Sequence, residues 1–174
     1  MSKQSLSEFQ QNLAQKLIQA RSSVSLSQWL AFSAGKRHFL IPLSEVGEVV
    51  PISHITTIPM THAWFSGLAN IRGAVVAVTD LHTLMQDSMG QTPAYLGPNS
   101  PNARLLSLGG EYANLRAALK VDQVFGLRQP KDWIPSQELA FCHRYSVDAE
   151  QTRWHELNVN AVLTQSAFFD IQEY

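Results

Sequence analysis

The chain has one cysteine, Cys142, in 174 residues, so no internal disulfide framework braces its core. It is also short of charge. Only 16% of residues are Asp, Glu, Lys or Arg, the formal net charge is −1, and the basic residues are scattered. A nucleic-acid binder needs a basic face to neutralise phosphates, and no such face is written here. No apolar run approaches the ~20 residues that span a bilayer. The opening MSKQSLSEFQQ is polar and lacks the apolar stretch of a signal peptide. These absences fit a cytoplasmic protein that reaches a membrane only through a partner.

Chemistry is equally sparse. The histidines at positions 38, 54, 62, 82, 143 and 155 show no metal-ligand spacing, and Cys142 beside His143 is poor geometry for one shared metal. Gly109-Gly110 and the Gly67/Gly73 pair fit neither a Walker loop nor a dinucleotide fingerprint. Ser66-Gly67 lacks the preceding glycine of a nucleophile elbow. Asp80, Asp122 and Glu48 are the best-placed carboxylates, but they form no defensible acid/base pair. The expectation is a non-enzyme with no metal and no cofactor, in which Cys142 is a small buried hydrophobe.

What is present is pattern. Residues 5–21 read as an amphipathic helix, with Ser5 and Glu8 at capping-box spacing and Leu6, Phe9, Leu13, Leu17 and Ala20 on one stripe. Ser22–Ser27 is a linker, so residues 1–28 form a helix-and-linker segment. From Trp29 the signal turns to short strands. Trp29–Ser33 and Arg37–Leu43 flank a hairpin turn at Ala34-Gly35-Lys36. Val46–Ile52 starts as a helical turn and continues extended. Asp80 suits the N-cap of a short helix, Leu81–Gln86. Residues 87–103, rich in Gly, Pro, Asn and Ser, mark a boundary.

A second strand-rich half follows, with strands at Arg104–Leu108, Leu115–Val121, Gln123–Leu127 and Trp154–Val159, then a helix over Asn160–Phe168. Arg128–Ser136 reads as an ordered loop and 143–153 as a polar, mobile stretch. A short internal echo pairs Val78-Thr79-Asp80-Leu81 and Leu84 with Glu156-Leu157-Asn158-Val159 and Val162, which suggests two similar halves.

The most informative stretch is Trp64–Leu81, WFSGLANIRGAVVAVTDL. Asn70 and Gly73 tolerate left-handed backbone and allow a tight reversal into an apolar strand, Ala74–Thr79. Arg72, between them, is the only charge from Trp64 to Val78. Two readings stand side by side: an internal salt bridge to Asp80, Glu48 or Asp122, or an exposed fork that anchors a partner.

Gly67, Asn70-Ile71-Arg72-Gly73, an apolar strand and Asp80-Leu81 resemble the hallmark of the CheW family of chemotaxis coupling proteins. Further matches follow in order: Trp29–Phe32 with Arg37–Leu43, Val46-Gly47-Glu48-Val49, Ile58-Pro59, Val121-Asp122-Gln123-Val124, and Leu157-Asn158-Val159 with Leu163. The resemblance covers roughly residues 29–165, and an ordered series argues against chance. Departures are Ala77 for a usual proline, Ala118 for a glycine, Asn158 for Asp, and the charge of Lys120, which either reaches solvent from an edge or alters a docking surface. With the N-terminal helix, they point to a specialised paralogue of the kind that serves type IV pilus twitching motility.

The resemblance implies a mainly β fold: two interlocked five-stranded SH3-like barrels, about 29–90 and 100–165, that exchange strands, with short flanking helices. It implies a non-catalytic adaptor between the cytoplasmic tip of a methyl-accepting chemoreceptor and the regulatory domain of a CheA-like histidine kinase. It places Val46, Glu48, Asn70, Arg72 and Gly73 at the partner surface, and Val124, Phe125 and Leu127 by a groove between the halves, although core packing suits Phe125 better. Gly67, Asp80, Leu81, Val121 and Asp122 belong to the structural motif. Direct membrane insertion and nucleic-acid binding are not implied. The competing readings are a small-ligand-binding β-barrel, which needs an enclosed pocket, and a nucleic-acid barrel resting on Trp64, Phe65 and Arg72.

Overall fold

A computed structural model describes residues 28–91 and 100–164. The helix expected over 5–21 and the tail from Phe168 lie outside the described residues. The first half contributes β1 (Trp29–Ala34), β2 (Arg37–Pro42), β3 (Val46–Pro51), β4 (Ile55–Thr56), β5 (Phe65–Ile71), β6 (Ala74–Asp80) and α1 (Leu81–Ser88). The second contributes β7 (Arg104–Leu108), β8 (Ala117–Val121), β9 (Gln123–Arg128), β10 (Ile134–Leu139), β11 (Cys142–Val147), β12 (Arg153–Glu156) and α2 (Val159–Leu163).

The strands form two six-stranded sheets, ordered β10-β11-β12-β2-β1-β9 and β3-β7-β8-β6-β5-β4. In each sheet the two edge strands are consecutive in the chain: β9 runs into β10, and β3 into β4. Each edge pair is one bent run, so each sheet curls into a barrel of five runs. Val50, Ile52 and Ile55 on the bent β3–β4 run pack on the small core of Ala69, Ile71, Val76, Val78, Leu105 and Ala118, as closure requires. The other barrel holds Trp29, Ala31, Leu40 and Trp154, with Trp133 packed from before β10.

The halves exchange strands. The β1–β2 hairpin pairs with β9 antiparallel and β12 parallel, while β7–β8 pairs with β3 antiparallel and β6 parallel. The two barrels therefore repeat one plan, and the short echo in the sequence marks it. Asp80 caps α1 by accepting from Thr83 N and donates its own N–H to Trp64 O; Asn158 caps α2 by accepting from Ala161 N and donates its own N–H to Phe141 O. Both Trp64 and Phe141 immediately precede a strand and are buried.

Between the barrels lies the main core. Strand alternation divides the labour: on β1, Trp29 and Ala31 face into one barrel, while Leu30, Phe32 and Ala34 face the shared interior. Leu81, Leu84, Val159 and Val162 bring both helices onto this core, and Cys142 is fully buried there, its thiol pushed up to about 12 by burial.

Several local expectations need correction. Residues 143–153 are not a mobile stretch throughout: 143–147 lie in β11 and Arg153 opens β12, with Ser146 buried because polar side chains alternate with buried positions across a paired strand. Residues 134–136 belong to β10 rather than to a loop. The helical turn precedes Val46, at Leu43–Glu45. The strand after Leu115 starts at Ala117, because Arg116 takes a left-handed conformation. The strand around Trp154 stops at Glu156, which frees Asn158 to cap. The strand from Ala74 is buried or half-buried from Val76 onward, since Ala74 and Val75 project past the barrel.

His155 on β12 is buried, and desolvation holds its pKa below the usual histidine value. The unfolded chain therefore binds a proton first on acidification, and stability is lost as pH falls through about 6.5. We expect chemical-denaturation midpoints to fall between pH 7 and pH 5, and to fall less in His155→Leu. Equal pH dependence in both proteins would contradict the assignment.

Candidate functional site

The tip of the β5–β6 hairpin is a two-residue loop. Ile71 pairs with Ala74, and Arg72 and Gly73 between them have φ of +48° and +88°. Two successive positive φ values are the mark of the primed turns whose twist matches that of the strands. The left-handed side-chain-bearing residue is thus Arg72, not Asn70. Asn70 acts differently: its Oδ1 accepts from Gly73 N at 2.8 Å and ties the turn across its base.

Arg72 Nε lies 2.9 Å from Glu48 Oε2, and the arginine side chain is 80% exposed. Arg72 pairs internally, with Glu48 and not with Asp80 or Asp122, and still leaves most of its side chain in solvent. Such an exposed pair contributes on the order of 0–1 kcal/mol, so it orients the side chain more than it stabilises the fold.

Glu48 is itself positioned. The β3–β7 register shifts between Val46 and Val49, and in this irregular stretch Glu48 N donates to Ser107 Oγ at 2.7 Å. Val46 packs half-buried on the main core, whereas Val49 is exposed. Val75, opposite Asn70 in the hairpin register, is also exposed. In the sequence an apolar strand reads as buried, so Val49 and Val75 do not stand out as surface residues; for Val75 the adjacent turn is the sign that the strand emerges at a tip.

The motif residues form the frame behind this surface. Gly67 has φ +125°, and a Cβ there would lie 2.1 Å from Thr56 O, where β4 closes on β5. Leu81 and Val121 are core residues. Asp122 Oδ2 accepts from Gly35 N at 2.6 Å and so grips the β1–β2 turn of the other barrel. Asp80 Oδ2 lies 2.9 Å from Lys120 Nζ. Lys120 thus does not reach solvent from an edge: β8 is an inner strand, and its parallel register with β6 sets Lys120 against Asp80.

Val124 and Leu127 lie on β9, in the barrel that does not carry Arg72. Val124 packs on the main core and Leu127 is 54% exposed. Phe125 is partly exposed rather than core, with its ring edge-on to Trp154 and near His38. The structure therefore gathers Val46, Glu48, Asn70, Arg72 and Gly73 on one barrel and leaves Val124 and Leu127 on the other. A matching ion pair, Arg128–Asp148 at 3.7 Å, ties β9 to the β11–β12 turn there and was not foreseen. Among the described residues no His, Cys, Asp and Glu cluster could hold a metal, and no helix is long and apolar enough to cross a membrane.

The model of the CheW-like domain matches residues 28–139, from the residue before β1 to the end of β10. The chain belongs to the CheW-like domain family. It is similar to Protein PilI of Pseudomonas aeruginosa, at 29% identity over 167 residues, which cover 91% of this chain and 88% of PilI. Its fold resembles that of the scaffolding protein TtCheW from Thermoanaerobacter tengcongensis, with a TM-score of 0.63 at 20% identity, covering 81% of this chain and 94% of that one. Within this CheW-like domain, Gly67 and Asp122 hold strands and hairpins in place while Arg72 stands clear of them.

Two stability outcomes follow. Gly67→Ala should destabilise the domain by about 3 kcal/mol or prevent folding, because a side chain meets backbone at a positive φ. Arg72→Ala should cost less than about 1 kcal/mol. Urea denaturation checks both, and a large loss for Arg72→Ala would make that residue structural.

Proposed function

We propose that this chain is a non-catalytic adaptor in a chemotaxis-type signalling system, coupling the cytoplasmic tip of a methyl-accepting chemoreceptor to the regulatory domain of a CheA-like histidine kinase. The observation that carries the reading is Arg72: a charged side chain on a rigid two-residue turn, held by Glu48 and left largely in solvent. Arginine is favoured among interface anchors, because its planar fork binds carboxylates and amide edges while its stem covers apolar surface. Val49 and Val75 give that anchor exposed apolar neighbours.

In this reading Val46, Glu48, Asn70, Arg72 and Gly73 form the contact on one barrel. Val124 and Leu127 contribute from the other, beside the groove between the barrels. The similarity to PilI favours a system controlling type IV pilus twitching motility. The adaptor works in the cytoplasm and joins receptor arrays at the inner membrane through its partners. Contacts of this transient kind are modest in area, so a few anchors dominate their affinity.

Calorimetric binding to the kinase regulatory domain and to a receptor-tip fragment tests the proposal. Wild type should bind both, and Arg72→Ala should bind at least one of them tenfold or more weakly while its fold is kept. Unchanged affinity for both partners removes Arg72 from the contact, and a wild type that binds neither overturns the adaptor reading.

A further inference from the structure

A cleft of about 830 Å³ opens at the mouth of the barrel formed by β3–β8. Barrel mouths of this size commonly hold small ligands. Its lining includes the apolar Ile52, Ile55 and Phe65 together with Lys120, Arg104 and His54. Asp80 supplies the only carboxylate on the lining.

Lys120 is the unusual member. Its side chain is only 18% exposed, and Asp80 Oδ2 is its one anionic partner among the described residues. An ammonium carries three donors, and burying one costs free energy that a single ion pair recovers poorly. Helix capping does not explain it either, since Asn158 performs the corresponding cap in the other barrel as a neutral side chain. Arg104 adds a second cation at the rim, steadied by Nη1 donating to Pro101 O at 3.1 Å and to Ala103 O at 2.8 Å. Asp80 offsets one of these two charges. Among the described lining residues this leaves one uncompensated cation, spare donors on Lys120 and apolar side chains in the same cleft.

We propose that this barrel mouth binds a small organic monoanion, a carboxylate bearing a short apolar chain. The head group takes the free donors of Lys120 with Arg104 beside it, and the chain lies along Ile52, Ile55 and Phe65. The site is separate from the Arg72 surface and does not depend on the adaptor reading.

Hexanoate titrated into the ¹⁵N-labelled full chain tests this, with hexanol as a tail-only control and inorganic phosphate as a head-only control. The expected result is saturable shifts of the Ser66 and Thr83 amides by hexanoate alone. Lys120→Met should weaken that binding at least tenfold. Asp80→Asn keeps a capping side chain and frees Lys120 from its internal counter-ion, so it should bind hexanoate severalfold more tightly, a gain that misfolding cannot produce. Absence of saturable shifts in the wild type overturns the proposal. So does undiminished binding by folded Lys120→Met, no gain in Asp80→Asn, or equal binding of either control. Kinase-domain binding measured on the same sample separates failure of this site from failure of the adaptor surface.

Discussion

The pairing of β1 with β9 and of β2 with β12 carries the N-terminal hairpin into the barrel made by the C-terminal half. The reciprocal loan of β7–β8 completes the barrel of the first half. Each barrel borrows its closing hairpin from the other half of the chain, so the two barrels fold and persist together. The shared core is the material expression of that bond: Phe32 and Phe39 on the borrowed hairpin stack on one another, 5.6 Å apart, within the same cluster as Leu106 and Leu119 on the hairpin lent the other way. An interior assembled from exchanged strands is cooperative, because loosening either hairpin exposes apolar surface in both barrels.

That rigidity is what allows a surface turn to act as a fixed point. The Arg72–Gly73 loop is two residues long, and its backbone is constrained by strand pairing on both sides and by the Asn70 side chain within. The guanidinium needs only a light tether to Glu48 to keep its direction, and a light tether leaves it free to exchange partners. Glu48 in turn is placed by an irregularity in β3 that depends on Ser107, a residue of the lent hairpin. The candidate contact is thereby connected, through one hydrogen bond, to the exchange that holds the barrels together.

Much of this was legible in the sequence where side-chain chemistry is local. Asp80 announced its cap, the echo marked Asn158 as its counterpart, and the Gly35 turn separated two largely buried strands. The echo around Asp80 and Asn158 was a true trace of two similar barrels. Features that depend on distant pairing were illegible. Nothing local predicts that Lys120 lies against Asp80, forty positions away, since the parallel register of β6 and β8 alone creates that contact. The polar run after Cys142 read as mobile because its burial comes from strands β10 and β12 on either side. An internal salt bridge for Arg72 was among the readings of the sequence, but the choice of Glu48 over Asp80 or Asp122 required the folded barrel.

The proposed contact is the β3 and β5–β6 surface of one barrel, where we expect this CheW-like domain to meet the kinase regulatory domain. Amide chemical-shift mapping of the labelled chain, titrated with the kinase regulatory domain, addresses it residue by residue. The account predicts that the strongest perturbations fall on Glu48, Val49, Asn70, Arg72 and Val75. Perturbations confined to β10–β12, with the Arg72 hairpin unmoved, would contradict it.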